Sequence, residues 1–203
     1  MTKQTQARRA EKVFRDIYFE TFTHSLMSRY VLQSLYNLAM GAAGLAGDAA
    51  EFGVYKGGSA RLIAKALPEK TLHLFDTFSG TPETEPALDR HLVGDFGDTP
   101  IEEVENYLRD LGNIEFHQGF FPDTAWELDK EYCFVHIDPD LYLSVQNSLL
   151  YFYPRMVSGG LLVFDDYGWE KCPGVKKALD EFMIGKPESI QKRVGTQVLV
   201  KKK

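Results

Sequence analysis

Between Ala49 and Asp166 the chain alternates short apolar runs with amphipathic stretches, and few folds accept that pattern. Ala49–Val54 reads as a strand running into a glycine turn, and Ser59–Leu67 as a helix ended by Pro68. Thr71–Phe75 is a second strand, followed by a loop at Thr77–Pro82. Pro100, with Glu102 and Glu103 close behind, opens another helix. Ile114–His117, Cys133–Ile137 and Leu161–Phe164 supply three more strands, with a helix over Ser144–Tyr153. Gly174–Met183 is a helix and Gln197–Val200 a last, weaker strand. Leu161–Phe164 is a near-continuous apolar run, as in the strands of a parallel sheet covered on both faces. The fold class is therefore α/β, a doubly wound, mostly parallel sheet.

At 203 residues the chain is expected to form one domain over 1–203. Residues 1–45 form an N-terminal helical cap and residues 46–203 the α/β core. Ala10–Met40 reads as helix, and its apolar density from Phe14 to Leu38 leans towards a homodimer. Lys201–Lys203 is expected to be a frayed end. A net charge of -6 argues against nucleic acid as partner, since a phosphate backbone would be repelled. The first twelve residues lack the apolar core of a secretion signal, no stretch is long enough to span a membrane, and two cysteines make no disulfide framework. A cytoplasmic protein without membrane contact is the expectation.

Ligands of open α/β sheets bind beyond the carboxyl ends of the strands. There the chain places Glu51-Phe-Gly-Val-Tyr-Lys-Gly-Gly-Ser59. The spacing of Gly53, Gly57 and Gly58 departs from the dinucleotide fingerprint, and no phosphate-loop lysine follows. By itself the turn fits a tight βα connection as well as a ligand cradle. Glu51 tips it towards a cationic ligand: a carboxylate there repels phosphate and attracts an ammonium, such as that of S-adenosylmethionine. Asp76, at the end of the second strand, is placed to accept two ribose hydroxyls.

Asp138 ends the fourth strand, and Asp165 and Asp166 end the fifth. An isolated Asp-Asp pair usually caps a turn or helix, whereas three acids on neighbouring strand ends converge. Like charges so close raise one another's pKa unless a cation intervenes, and oxygen-only ligands suit magnesium or another hard divalent ion. His136, which alternates with Asp138, is expected to be a satisfied core histidine.

These segments, with Phe75-Asp-Thr-Phe-Ser-Gly-Thr-Pro82, His136-Ile-Asp-Pro-Asp-Leu-Tyr-Leu-Ser144 and Gly159-Gly-Leu-Leu-Val-Phe-Asp-Asp-Tyr167 followed by Gly174-Val, resemble the macrocin O-methyltransferase family over roughly Ala49 to Phe182. The resemblance implies a class I, Rossmann-like methyltransferase that uses S-adenosylmethionine and magnesium to methylate a hydroxyl of a small molecule, a sugar or natural product. It places the cofactor on Glu51, Gly53, Val54, Tyr55, Gly57, Ser59, Asp76, Thr77 and Phe78, on Gly119, Phe120 and Phe121, and on Asp138. It gives Asp138, Asp165 and Asp166 as metal ligands, with Asp138 also the candidate general base. The chain departs from the family in a short N-terminal side, which leaves the substrate open, and in Pro139, which fixes the backbone beside a proposed ligand. Two other readings stand: an NAD-dependent oxidoreductase on a related sheet, and a non-catalytic protein that binds the cofactor or a partner. Glu83–Asp98, with His91, Gly94 and Gly97, is the expected mobile lid.

Overall fold

The computed structural model describes the backbone of residues 3–203 and the side chains of residues 11–203. Met1 and Thr2, included in the expected domain limits, lie outside the described residues. Two helices, α1 (Lys3–Thr21) and α2 (Arg29–Ala42), precede β1 (Asp48–Phe52), α3 (Gly58–Ala66), β2 (Leu72–Asp76), α4 (Ile101–Leu108) and β3 (Ile114–Gln118). Then come β4 (Tyr132–Ile137), α5 (Tyr142–Phe152), β5 (Met156–Phe164), α6 (Pro173–Met183), β6 (Ile190–Lys192) and β7 (Val198–Lys201). The seven strands form one sheet in the order β3-β2-β1-β4-β5-β7-β6. Pairings among β1 to β5 are parallel, and β7 runs antiparallel to both β5 and β6. This is the doubly wound sheet expected. The strand order reverses between β1 and β4, and a crevice opens there.

Side-chain alternation divides the core into two layers. Leu72, Leu74, Phe134 and Val163 pack with α1 to α4 on one face; Phe75, Val135, Ile137 and Phe164 pack with α5 and α6 on the other. Cys133 and Phe134 are consecutive yet share a face, because the register of β4 shifts between Tyr132 and Phe134 against both neighbours. Cys133 is fully buried, as a small core residue should be.

Three local expectations are corrected, and one strand is added. Ala10–Met40 is two helices, not one. The Ser28 hydroxyl accepts the Val31 N–H at 3.4 Å to cap α2, and Ser25 accepts the Met27 N–H at 3.2 Å, so the backbone between leaves the helix. The fifth strand begins at Met156 rather than Leu161 and contains Gly159 and Gly160, whose backbone groups bond to Lys202 at 2.8 Å. That pairing also holds Lys201–Lys203 in place: Lys201 ends β7 and the Lys203 N–H reaches Glu188 at 3.1 Å, so the end is not frayed. The short edge strand β6 had no readable signal, being three residues long and largely exposed. Among the described residues no helix is long and apolar enough to cross a membrane.

Candidate active site

A cleft of about 460 Å³ opens at the carboxyl edge of the sheet, a size ordinary for small-molecule sites. Its floor is the end of β1, from Phe52 to Tyr55, with Ser59 from α3 and Asp76–Thr77 from β2. Asp138–Asp140 after β4 and Asp165–Asp166 after β5 form the acidic wall. Backbone strain concentrates here. Tyr55, Asp140 and Asp166 line the cleft with φ of 49°, 61° and 58°, a left-handed conformation costly for residues with a Cβ. Gly53, at φ 87°, is required by close approach: a Cβ there would stand 2.3 Å from the Asp138 carbonyl oxygen. The glycine of the turn thus sets where the β4 acids begin.

Asp76 is already engaged. Its Oδ2 accepts the backbone N–H groups of Val54 at 2.7 Å and Tyr55 at 3.2 Å, and its Oδ1 accepts that of Phe78 at 2.9 Å. A carboxylate offers about four acceptor positions, so one remains on Oδ1 for an incoming hydroxyl. Meanwhile the carboxylate ties the glycine turn to the end of β2.

Glu51 does not line the cleft. Its side chain is fully buried and accepts a 2.7 Å hydrogen bond from Nδ1 of His136, whose Nε2 donates at 2.8 Å to Asp165. Burial disfavours the imidazolium, but the two carboxylate bonds outweigh it and hold the His136 pKa well above its ordinary value. His136 is thus a satisfied interior histidine, and it fixes the orientation of Asp165, which Gln197 also contacts at 3.4 Å. One Glu51 oxygen, Oε2, has no partner, so any cation contact by this residue falls to that atom.

The acids converge in two overlapping sets. Carboxylate oxygens of Asp138, Asp140 and Asp166 lie within 4.8 Å of one another, as do ligand atoms of His136, Asp138 and Asp165. Asp138 belongs to both. Burial first, then the charges of Asp165, Asp166 and Asp140, raise its pKa well above the carboxylate range. Asp140 is pushed up to about 8 by burial and by Asp166, and Asp166 is raised by burial. Asp140 is the acid that reading the strand ends left out, because it lies beyond the strand, brought back by the turn at Pro139. The signal was present in the Asp-Pro-Asp spacing.

Other expected residues are split. Val54, Tyr55, Thr77, Phe120 and Phe121 line the cleft, with Phe120 half-exposed and Phe121 stacked 4.5 Å from Phe52. Gly57, Phe78 and Gly119 do not. Gly57 begins α3 at φ 81°, and Phe78 is buried in the core near Phe116. Tyr142 turns its hydroxyl to Glu181, 2.7 Å away. The cleft also gains a roof that periodicity hid, the link between α1 and α2 from His24 to Ser28, with Val31. The His24 ring stacks on Tyr107 at 3.7 Å, and the His24 carbonyl presses where a Cβ on Gly58 would be, at 2.5 Å. Thr81, Pro82 and Phe96 close the side beside Glu83–Asp98. That loop is tethered: Asp89 accepts N–H groups of Glu85 at 2.7 Å and Tyr142 at 2.9 Å.

Residues 2–193 match the model of the macrocin-O-methyltransferase (TylF) family. The chain is 30% identical over 153 residues to the demethyldecarbamoylnovobiocin O-methyltransferase of Streptomyces niveus, covering 67% of this chain and 58% of that protein. It is 27% identical over 186 residues to the mycinamicin III 3''-O-methyltransferase of Micromonospora griseorubida, covering 81% and 72%. The chain therefore spans less than two thirds of the first of these relatives. Among solved structures, the O-methyltransferase NovP superposes with a TM-score of 0.78 at 26% identity, over 88% of this chain and 82% of NovP.

Proposed function

The chain belongs to the macrocin-O-methyltransferase (TylF) family, and from that premise we propose that it transfers a methyl group from S-adenosylmethionine to a hydroxyl of a small molecule, a sugar or glycosylated natural product. The observation that carries the reading is the division of the cleft. Asp76 and the glycine turn lie on one side of it, and four carboxylates on the other. The absence of dinucleotide spacing leaves the oxidoreductase reading unsupported.

The cleft fits the methyl donor. The free position on Asp76 Oδ1 could accept a ribose hydroxyl, the exposed Phe120 ring could stack on the adenine, and Glu51 Oε2 is a buried oxygen without a partner. The acids fit a hard divalent cation such as magnesium. Asp138, Asp140 and Asp166 form one all-oxygen set, a donor set of the kind such ions take, and Asp165 meets Asp138 in a second set that includes His136. A cation held there would lower the pKa of an acceptor hydroxyl. In the transfer itself the hydroxyl oxygen attacks the methyl carbon, the carbon–sulfur bond breaks, and the hydroxyl proton passes to a carboxylate. Asp138 is the candidate acceptor of that proton, with Asp140 beside it. The chain's contribution is chiefly position: two partners held in line, under a roof that limits water.

The reading extends to a cytoplasmic location, which the free, buried thiols of Cys133 and Cys172 support. It also extends to a homodimer through the apolar side chains that α1, α2 and their link leave exposed, Phe19, Phe22, Leu26 and Tyr30. The test is transfer of labelled methyl from S-adenosylmethionine to a panel of hydroxylated and glycosylated acceptors, with and without EDTA. Transfer that EDTA abolishes and magnesium restores is expected. Transfer indifferent to EDTA would remove the metal and keep the reaction; no transfer to any acceptor would remove the reaction.

A further inference from the structure

Outside the cleft, a second group of ligand-type side chains lies at the β3 edge of the sheet. His73 (β2), Glu115 and His117 (both β3) project from the face that packs against α5 and α6, and none of them lines the cleft. His73 is fully buried, His117 half-buried, and the Glu115 side chain 54% exposed, so the group opens to solvent at one corner. Nδ1 of His73 lies 3.0 Å from Nε2 of His117 and 3.4 Å from a Glu115 carboxylate oxygen, and all three ligand atoms fall within 4.8 Å of one another.

Those separations have a geometric meaning. Four ligands at 2.0–2.1 Å from a tetrahedral zinc ion stand about 3.3 Å from each other. The two edges that meet at His73 are therefore already close to the edges of such a tetrahedron. One tautomer suits this. With the proton on His73 Nε2, where Asp48 accepts at 3.3 Å, Nδ1 keeps a free lone pair towards His117 and Glu115. Asp48 is in turn paired with Lys130 at 3.3 Å. A carboxylate behind the far nitrogen of an imidazole is the usual support of a zinc-bound histidine. The His117 ring is held flat on Phe75 at 4.5 Å, and Tyr132 meets His73 edge-on, so neither ring is free to turn away.

We propose that His73 Nδ1, His117 Nε2 and Glu115 form a three-ligand site for zinc, completed by water at the exposed corner. On binding, His117 moves its proton from Nε2 to Nδ1, and the ion replaces the imidazole–imidazole hydrogen bond. The donor set distinguishes this site from the cleft: two nitrogens and one carboxylate favour zinc, whereas the all-oxygen part of the cleft favours magnesium. The ion would join the edge strand β3 to β2, a structural fastening separate from the reaction.

The test is titration of the metal-free full chain with zinc and with cobalt(II), in wild type, His117→Ala, Glu115→Ala and Asp166→Asn. The expected result is one zinc bound with a rise in Tm, and cobalt giving the intense visible bands of four-coordinate geometry. His117→Ala should lose the bands and weaken zinc by about 100-fold or more, beyond the ~10–100-fold that losing a supporting group costs. Glu115→Ala, at an exposed position, should weaken zinc without unfolding the chain, and Asp166→Asn should leave the bands unchanged. Weak, octahedral cobalt bands, or zinc affinity that survives His117→Ala and falls with Asp166→Asn, would overturn the site.

Discussion

His136 sits fully buried between Glu51 and Asp165, and a single proton decides whether the arrangement holds. Replacing this residue by alanine leaves two carboxylates buried without their cation, a change that costs about 3–5 kcal/mol when one partner of a buried pair is removed. His136→Ala should therefore lower the unfolding free energy measured in urea by an amount in that range; a loss below about 1 kcal/mol would mean the triad is not a charged unit. The residue scale also shows where sequence reading stops. Asp76, Asp138 and Asp166 were legible because strand ends are legible, and all three line the cleft. Glu51 stands at the predicted strand end as well, yet its side chain turns inward to His136. Direction within a strand depends on register, and nothing local reveals that β1 pairs Glu51 with His136 across the sheet.

At the scale of elements, the loop Glu83–Asp98 is joined to α5 through the side chain of Asp89. Asp89 is 5% exposed and accepts two backbone N–H groups, one within its own loop and one at the start of α5. Gly174, at the start of α6, leaves room for this carboxylate, since a Cβ there would stand 2.8 Å from Asp89 Oδ1. Asp89→Ala should release the loop from α5. Amide hydrogen exchange at Glu85 and Tyr142 should then rise by tenfold or more, given about 1.5–3 kcal/mol for a hydrogen bond to a charged group. Unchanged exchange would show that the Thr81–Asp95 backbone bonds hold the loop unaided. The long helices and interior strands were readable from their period. The break at Phe22–Ser28 was not, because apolar spacing runs through it while serine hydroxyls and the contact with Gly58 end the helix. That break roofs the cleft, so this part of the site was the hardest to read.

Across the whole molecule, reversal of strand order between β1 and β4 brings the donor side and the acid side to one crevice. Gly53 couples them, its missing side chain letting the β1 turn rest on the Asp138 carbonyl. The account therefore assigns separate tasks to two walls of one cleft: holding the methyl donor, and activating the hydroxyl. Calorimetric titration with S-adenosylhomocysteine, in wild type, Asp76→Ala and Asp166→Asn, tests that division most directly. The account predicts one site per chain, affinity reduced about tenfold or more by Asp76→Ala, a loss of roughly 1.4 kcal/mol, and affinity nearly unchanged by Asp166→Asn although methyl transfer falls. No binding by the wild type, or equal affinity in Asp76→Ala, would contradict it.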